Sequence, residues 1–316
     1  MKRALTSKEA GLTALLLVLS FLVWHKNPQF ISGTNLANLA QLAGMYGIFS
    51  IGLGFVIITG GIDLSVGSMF ALMGVLLAMA LTEWKWSPPL AILATIAFTS
   101  ALGLIHGLLI TRVKLQPFIV TLCGLLIYRG LARYIANDGT KGFGTAQGFE
   151  GLQKLATGDF HGVPNPFILM LVVAVISGVV LHRSVYGRHL YAVGRNEEAA
   201  RYSGIKTLRT ITTAYVISGL LAGVSGILIA FYTNSISPSG HGNSYELYGI
   251  AAAVLGGCSL RGGEGSVYGI VIGAILLQVL QNLVNLLGIP TSLNFAVMGA
   301  VILIGVIADR FIGKRS

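Results

Sequence analysis

The sequence predicts an all-α polytopic membrane protein with about ten transmembrane helices and one short helix in a polar loop. Hydrophobic residues make up 54% of the chain and charged residues only 10%, whereas soluble domains carry about 25% charged residues. The mean hydropathy is +0.79, and 42 of the 316 residues are glycine. A soluble core could not bury this much apolar sequence without leaving large apolar patches exposed.

The apolar stretches predict where the chain crosses the membrane. A bilayer core of about 30 Å requires about 20 apolar residues in a helix. Ten stretches are candidate spans, some of them short: 10–24, 36–59, 66–82, 89–111, 117–136, 166–182, 210–233, 244–258, 266–288 and 291–308. The first stretch follows Lys2, Arg3 and Lys8 and also fits a signal peptide, but no A-x-A-like cleavage site follows it, so an uncleaved span is favoured. We treat residues 1–316 as a single transmembrane domain.

The basic residues predict the orientation. With ten spans and a cytoplasmic N-terminus, 15 lysines and arginines fall inside and four fall outside, as the positive-inside rule requires. Both termini and the loop 183–209 are then cytoplasmic, and residues 137–165 form the longest outside segment. The net charge of +10 does not indicate nucleic-acid binding, because that needs a clustered basic face with base-stacking aromatic residues.

Spaced glycines predict close helix packing. GxxxG pairs occur at three places, at Gly103 and Gly107, at Gly219 and Gly223, and in the series Gly265, Gly269 and Gly273. Small residues four positions apart let two helix backbones approach closely in lipid. His106 lies within the first of these pairs, and a polar group at that depth is expected to bond a neighbouring helix. A structural role for His106 is therefore favoured over a transport role.

Two glycine-rich stretches interrupt the apolar pattern in a similar way. They are GGIDLSVGS (60–68) and GGCSLRGGEGS (256–266). Such interruptions mark a pathway in some transporters and are otherwise tight turns with a packing surface. For the second stretch, with Arg261 and Glu264 expected in water, the turn is favoured. In the first, Asp63 is the carboxylate most closely bounded by apolar sequence; it binds, gates, or caps and anchors the third helix, and the structural role is favoured.

The segment AVGRNEEAARYSGI (192–205) predicts a short helix in the cytoplasmic loop. Asn196 is a suitable N-cap, and Glu197 and Glu198 then lie in the first turn beside the positive end of the helix dipole. Gly204 is suited to end the helix. Two turns of helix, about 10 Å long, would be presented to the cytoplasm.

This short helix is expected to fit into a partner protein. The small side chains of Ala199 and Ala200 would let its backbone enter a groove, while the surrounding charges orient it. Six basic residues lie in its loop: Arg183, Arg188, Arg195, Arg201, Lys206 and Arg209. The alternative is a solvated amphipathic loop at the lipid headgroups.

The sequence does not predict an enzyme. Cys123 and Cys258 lie in apolar surroundings without CxxC spacing and are expected to be small buried hydrophobic residues. The six histidines have no metal-ligand spacing, and no clustered catalytic constellation occurs. No GxxxxGK[ST] phosphate loop occurs either, so the chain has no ATP site of that type.

Several motifs together resemble one family. GRNEEAARYSGI, GGIDLSVGS, KLQPFIVTLCGLLIYRG (114–130) and GGCSLRGGEGSVYGIVIGA (256–274) are similar to motifs of the permease subunits of bacterial ABC importers for ribose, xylose, galactose and related monosaccharides. Importers of autoinducer-2 are close relatives. The resemblance runs from about Asn35 to the C-terminus. One departure is mild: Cys258 stands where threonine or another small residue is common.

The resemblance implies partners and residue roles. Such a permease forms a dimer with a second copy or a paralogue in the cytoplasmic (inner) membrane, with an ATPase subunit below, a periplasmic sugar-binding protein above and lipid around it. ATP and magnesium bind to the ATPase, and no cofactor is expected on this chain. The coupling helix that contacts the ATPase would comprise Asn196, Glu197, Glu198, Ala199, Ala200, Arg201, Ser203 and Gly204. Candidates for the translocation path, or for a structural role, are Asp63, Ser65 and Thr121.

The expected substrate is a ribose-type sugar, and two alternatives remain. The same mechanism could import autoinducer-2. A secondary transporter coupled to ions would move a small polar solute, but it would need several intramembrane carboxylates or broken-helix ion sites. In the sequence only Asp63 qualifies, so an ATP-driven importer is favoured.

Overall fold

The computed structural model describes residues 7–144, 146, 148–290, 293, 296, 299, 300 and 303. Its helices are α1 Ser7–Lys26, α2 Gly33–Ile58, α3 Val66–Thr82, α4 Pro88–Thr111, α5 Pro117–Ile135, α6 Phe149–Thr157, α7 Asn165–Arg183, α8 Val185–Arg195, α9 Glu197–Tyr202, α10 Thr207–Thr233, α11 Tyr245–Leu255 and α12 Val267–Leu286. A short 3-10 helix, Pro28–Ile31, follows α1. Four two-residue strands complete the structure: β1 Lys141–Gly142, β2 Asp159–Phe160, β3 Val163–Pro164 and β4 Ser235–Ile236.

The all-α polytopic architecture is confirmed. Among the described residues, seven helices are long and apolar enough to cross a membrane, namely α1, α2, α4, α5, α7, α10 and α12, and the apolar helices α3 and α11 are shorter. The first nine predicted spans each coincide with one of these helices. The tenth, 291–308, falls almost entirely outside the described residues. That the chain forms a single domain remains a prediction.

Local sequence signals set the starts of several helices. Pro88 and Pro117 each open a helix, where the missing amide hydrogen costs nothing and the fixed φ suits the first turn. The Ser32 side chain accepts from the amide of Asn35 at the start of α2. Ser266 does the same for Gly269 at the start of α12, at 3.0 Å. These caps satisfy first-turn amides that have no partner within the helix.

The first two glycine pairs have the predicted packing role, and the structure shows that they pack α4 against α10. A Cβ at Gly103 would overlap the carbonyl oxygen of Tyr215, and one at Gly107 would lie 2.8 Å from the Cα of Thr212. From the other side, a Cβ at Gly219 would overlap the backbone of α4. The two motifs therefore remove side chains at the same crossing, where the helix backbones touch.

The third glycine series packs α12 against α11. A Cβ at Gly273 would overlap the carbonyl oxygen of Ala252 and stand 3.0 Å from the amide nitrogen of Gly256. A Cβ at Gly269 would likewise overlap the carbonyl oxygen of Gly256. The predicted packing role of these glycines is confirmed.

The core lies around α2, α3 and α10, which are buried over most of their length. Few residues of α1, α4, α5 and α7 are buried. α1 packs along α12, where the Thr13 and Tyr268 hydroxyl groups lie 3.0 Å apart and Val23 joins a cluster with Val279. That this first helix is an uncleaved span remains a prediction.

The segment 137–165 is folded against the end of α10. β1 pairs antiparallel with β4, the strand that follows α10. Phe143 stacks on Phe149, and both rings contact Phe231 of α10. The ammonium group of Lys141 lies 2.6 Å from a carboxylate oxygen of Glu83. The connections after α3, α5 and α10 thus meet on one side, as the predicted topology requires.

Three details differ from the sequence-based expectations. The helix α8 was not predicted. α11 ends at Leu255, earlier than the predicted span 244–258, because glycines follow it. Cys258 is buried as expected, and burial raises the pKa of its thiol to about 12, whereas Cys123 is exposed on α5. The prediction that Cys123 is buried was therefore wrong.

Candidate functional site

The short helix α9 forms as the sequence predicts. Asn196 is its N-cap, and its side-chain oxygen accepts from the amide of Ala199 at 2.9 Å. Glu197 and Glu198 lie in the first turn. Gly204 follows the helix with φ +82°, a left-handed conformation that glycine adopts without strain. The boundaries and both caps are confirmed.

The orientation of α9 corrects one expectation. Ala200 is buried, with 5% of its surface exposed, and packs in a cluster with Val193, Ile211 and Tyr215. It therefore holds α9 to its own chain and does not face a partner. The outward face is formed by the exposed residues Glu197, Glu198, Ala199, Arg201, Tyr202, Ser203 and Gly204.

This outward face carries small side chains at its centre and charged side chains at its margin. Ala199 and Ser203 lie one turn apart, and the Ser203 hydroxyl donates to the Ala199 carbonyl at 2.9 Å. A Cβ at Gly204 would meet nothing within 4 Å. Glu198 and Arg201 form an exposed pair at 3.8 Å, a separation and exposure that contribute about 0–1 kcal/mol. Backbone and small side chains are thus open to an incoming surface.

The unpredicted helix α8 carries α9. Ser184 caps it by accepting from the amide of Gly187 at 3.1 Å. Leu190 and Val193 are buried against the core, whereas Arg188 and Arg195 are exposed. Apolar residues at positions 186, 190 and 193 follow a helical period, and this signal could have revealed α8. The density of basic residues concealed it.

The end of α8 meets both glycine-rich stretches at a contact that we name the glycine junction: Gly60, Gly194, Gly262 and Gly263 around the carbonyl of Ile58. The amide of Gly263 donates to this carbonyl at 2.9 Å. A Cβ at Gly194 would overlap the same oxygen, and one at Gly262 would lie 2.8 Å from the amide nitrogen of Gly60. The second stretch is a tight turn with a packing surface, as favoured, and its partner is the first stretch.

Asp63 lies just beyond this junction and is 1% exposed. One carboxylate oxygen accepts from the Ser65 amide at 3.0 Å and from the Ser65 hydroxyl at 2.6 Å. The other accepts from the Ser218 hydroxyl of α10 at 3.1 Å. Ser65 occupies the N-cap position of α3, so Asp63 anchors the residue that begins the helix and ties it to α10. This geometry agrees with the structural interpretation, and its role in transport remains a prediction.

Two hydroxyl groups hold the residue before Asp63. The Tyr215 hydroxyl of α10 donates to the carbonyl of Ile62 at 3.2 Å. The Thr121 hydroxyl of α5 lies 3.3 Å from the same oxygen, and also 2.9 Å from the Pro117 carbonyl of its own helix. The connection between α2 and α3 is therefore fixed by side chains from two other helices.

His106 bonds a neighbouring helix, as expected. Its Nε2 lies 2.8 Å from the Tyr128 hydroxyl of α5. Its Nδ1 is buried with no hydrogen-bond partner in the described part of the chain. A Cβ at Gly124 would stand 2.7 Å from His106 Nε2 and 3.2 Å from the Ser65 Cβ. The structure thus brings His106 close to the start of α3.

Sequence reasoning missed a second buried carboxylate. Glu246 of α11 is 8% exposed, and its carboxylate lies against Gly67 in the first turn of α3, where a Cβ would overlap the Glu246 Oε2 atom. Asp63 is therefore not the sole candidate for an intramembrane carboxylate. Arg129 lies nearby and donates to the carbonyl oxygens of Pro238 and His241 at 3.1 and 2.8 Å. A glutamate inside a predicted span was the available signal.

The contacts of the site are suited to transmit a displacement. No group of three or more histidine, cysteine, aspartate or glutamate side chains in the described residues could hold a metal ion. Instead, contacts run without a gap from Ala200 of α9 to Tyr215 of α10, and from Tyr215 to the residue before Asp63. The exposed helix α9 is thus connected to the buried N-terminus of α3.

These features are those of a polytopic membrane permease that exposes one short helix, α9, on its surface. The chain belongs to the family described as "Branched-chain amino acid transport system / permease component", which matches residues 35–306. The family is a transport component, and its description names no catalytic activity. The chain is thus a permease component of a transport system.

Curated relatives cover nearly the whole chain. It is 42% identical to the ribose import permease protein RbsC of Bacillus subtilis (strain 168), over 95% of this chain and 91% of the relative. It is 36% identical to the protein of the same name from Escherichia coli (strain K12), over 93% and 91%. It is 32% identical to the xylose transport system permease protein XylH of the same strain, over 96% and 92%. No solved structure matches the chain.

Proposed function

We propose that this chain is the permease subunit of an ATP-driven importer of a monosaccharide, with a ribose-type sugar as its substrate. The observation that carries this proposal is the identity of 42% with a ribose import permease over 95% of the chain. The family description names branched-chain amino acids, whereas the relatives are named for ribose and xylose. Autoinducer-2 is a further alternative.

The proposed assembly supplies what this chain lacks. An ATPase subunit binds ATP and magnesium on the cytoplasmic side, a periplasmic protein delivers the sugar, and a second permease copy or paralogue completes the path. The chain itself carries no cofactor. It lies in the cytoplasmic membrane with both termini and the loop 183–209 inside, because this arrangement places 15 basic residues inside and four outside.

The proposed coupling follows the contacts of α9. Closure of the ATPase moves α9, and the outward residues Ala199, Ser203 and Gly204 make the contact with its groove. Ala200 transmits the movement to α10, and Gly194 transmits it to the glycine junction. The start of α3 moves in consequence, since Asp63 ties it to α10. The permease then changes between inward-open and outward-open states, which requires two discrete packings of these elements.

A substitution on the outward face tests this role. Ala199→Trp places bulk on the docking surface, and a large side chain forced into a packed contact costs about 1–3 kcal/mol, which weakens association by roughly 5-fold to 150-fold. Val185→Trp is the matched control, because Val185 is 56% exposed in the same loop and tryptophan is favoured at the membrane interface. Arg201→Ala should have a milder effect, since it removes one exposed ion pair.

The measurement is co-purification of the ATPase, followed by uptake of labelled ribose into proteoliposomes with ATP inside and binding protein outside. Xylose, a branched-chain amino acid and autoinducer-2 are run in parallel. We expect ATP-dependent ribose uptake in the wild type and in Val185→Trp, and reduced ATPase binding in Ala199→Trp. Full ATPase binding and uptake by Ala199→Trp would show that α9 is only a solvated surface helix.

A further inference from the structure

A basic cavity lies behind α9, between α8 and the start of α10. Its volume is about 370 Å³. Tyr186 and His189 of α8 line it, and Lys206 and Arg209 line it from the N-terminal end of α10. Gly204, the residue that ends α9, completes the wall. The cavity therefore lies where the three helices of the cytoplasmic loop meet.

The positive charge of this cavity is not neutralised by the chain. Across the described residues, Lys206, Arg209 and His189 enter no ion pair, and the ion pair formed within this loop joins Arg201 to Glu198 on the outward face of α9. Neither Glu197 nor Glu198 lines the cavity. Two permanent cations and an imidazole thus face one space without a carboxylate.

The Thr213 hydroxyl group and the helix end in the wall also suit an anion. The Tyr186 hydroxyl donates to the Thr210 carbonyl at 3.3 Å, and the Thr210 hydroxyl donates to the Lys206 carbonyl at 3.2 Å, whereas Thr213 lines the cavity from an exposed position. Lys206 is the N-cap of α10 and makes no side-chain cap bond. The positive end of a 27-residue helix is therefore uncapped by a side chain at the cavity wall, where an anion is stabilised.

The surroundings place the cavity at headgroup depth. Val185 and Leu208, the neighbours of Tyr186 and Arg209 in sequence, expose 56% and 48% of their surfaces. α7 ends and α10 begins at this level, so exposed aliphatic and basic side chains alternate where a membrane surface would lie. Basic pockets on the cytoplasmic side of transmembrane helices suit phosphate-bearing headgroups.

We propose that this cavity binds a phosphate group, carried by an anionic phospholipid or by a small soluble phosphate ester. Lys206 and Arg209 neutralise the phosphate, and Thr213 and His189 donate hydrogen bonds to it. Because Gly204 shares the wall, an occupied cavity holds α9 at a fixed angle to α10 and regulates the coupling. This site goes beyond the proposed transport function and rests on it only for the cytoplasmic placement of the loop.

The test uses the purified full-length chain and the double variant Lys206→Gln/Arg209→Gln. The matched control is Arg183→Gln/Arg188→Gln, which removes the same charge from exposed positions of the same loop that do not line the cavity. Retention of phosphatidylglycerol against phosphatidylcholine is counted by native mass spectrometry. Inorganic phosphate and glycerol 3-phosphate are titrated into delipidated protein, with the thermal midpoint as the readout.

The outcomes separate the sources of phosphate. We expect the double variant, and not the control, to bind at least about tenfold more weakly. If only phosphatidylglycerol retention falls, the ligand is a lipid headgroup; if only the phosphate-dependent thermal shift disappears, it is a soluble ester. Equal losses in both variants would overturn the proposal in favour of diffuse charge. No binding of either probe, with weaker ATPase co-purification in the double variant, would overturn it in favour of a protein docking surface.

Discussion

Replacement of Asp63 distinguishes an anchor from a charged gate. The carboxylate accepts three hydrogen bonds, from the Ser65 amide, the Ser65 hydroxyl and the Ser218 hydroxyl, at 3.0, 2.6 and 3.1 Å. Asp63→Asn keeps one oxygen for the two donors of Ser65, and its amide can donate to Ser218 if that hydroxyl turns to accept. The geometry of the anchor survives, and the charge is lost.

The magnitudes follow from the bonds that each variant loses. A hydrogen bond to a charged group contributes about 1.5–3 kcal/mol and a neutral one about 1 kcal/mol, so Asp63→Asn, which turns three charged bonds into neutral ones, should cost about 1.5 kcal/mol or more. Asp63→Leu loses all three bonds and leaves the buried Ser65 amide without this acceptor, so it should cost about 4 kcal/mol or more. Ser218→Ala removes one hydrogen bond to the carboxylate and should cost about 1.5–3 kcal/mol.

The assay combines thermal unfolding in detergent, the amount of protein in the membrane, and ATP-driven uptake. A loss of 1 kcal/mol lowers the midpoint by about 2–4 °C in a protein of this size class. We expect Asp63→Asn and Ser218→Ala to retain much of the uptake, and Asp63→Leu to reach the membrane in reduced amounts. Wild-type stability of Asp63→Asn combined with complete loss of uptake would refute the anchor and assign the charge to the pathway.

Two further predictions concern the glycine junction and the outer loop. Gly194→Ala drives a Cβ into the Ile58 carbonyl and should lower the stability by about 1–3 kcal/mol and also lower the coupled uptake. The control is Gly178→Ala in α7, whose Cβ would meet nothing within 4 Å and which should keep wild-type uptake. Equal uptake by both variants would remove the junction from the coupling path. Burial, and to a smaller extent the charge of Arg129, lower the pKa of His241 from 6.5 to about 4. As the pH falls, the unfolded chain therefore binds the proton first, and stability should fall by up to about 3 kcal/mol between pH 6.5 and pH 4. His241→Gln should flatten that part of the curve of thermal midpoint against pH.

Periodicity and composition were sufficient for the helices because lipid imposes a strict rule on them. A span must be apolar and long enough to cross the core, so the sequence predicts the nine described apolar helices to within a few residues. The GxxxG pairs predicted close helix packing for a related reason, since small residues let two backbones approach, but they did not say that α4 would cross α10. The caps of α9 were predictable because Asn196 and Gly204 act locally.

The contacts between distant segments could not be predicted in the same way. Ala199 and Ala200 are identical residues, and only the packing of α9 on α10 decides that one is exposed and the other buried. Glu246 looked unremarkable in sequence because its burial depends on the approach of α11 to the first turn of α3. The meeting of the two glycine-rich stretches likewise depends on tertiary structure, which a period along the chain does not encode.

The position of the glycine junction explains why a movement of α9 can reach the buried carboxylates. α2 ends at Ile58 and α3 begins at Val66, and Gly60 in the connection between them has φ +82°. Because the Tyr215 and Thr121 hydroxyl groups hold this connection at Ile62, a displacement of α10 would be passed on to it. Because Asp63 bonds the start of α3 to α10 and Glu246 of α11 lies against the first turn of α3, a shift of α10 relative to α11 would disturb the start of α3. A packed core resists gradual strain, and we propose that the start of α3 is the place where a displacement of α9 is converted into a change between two discrete packings.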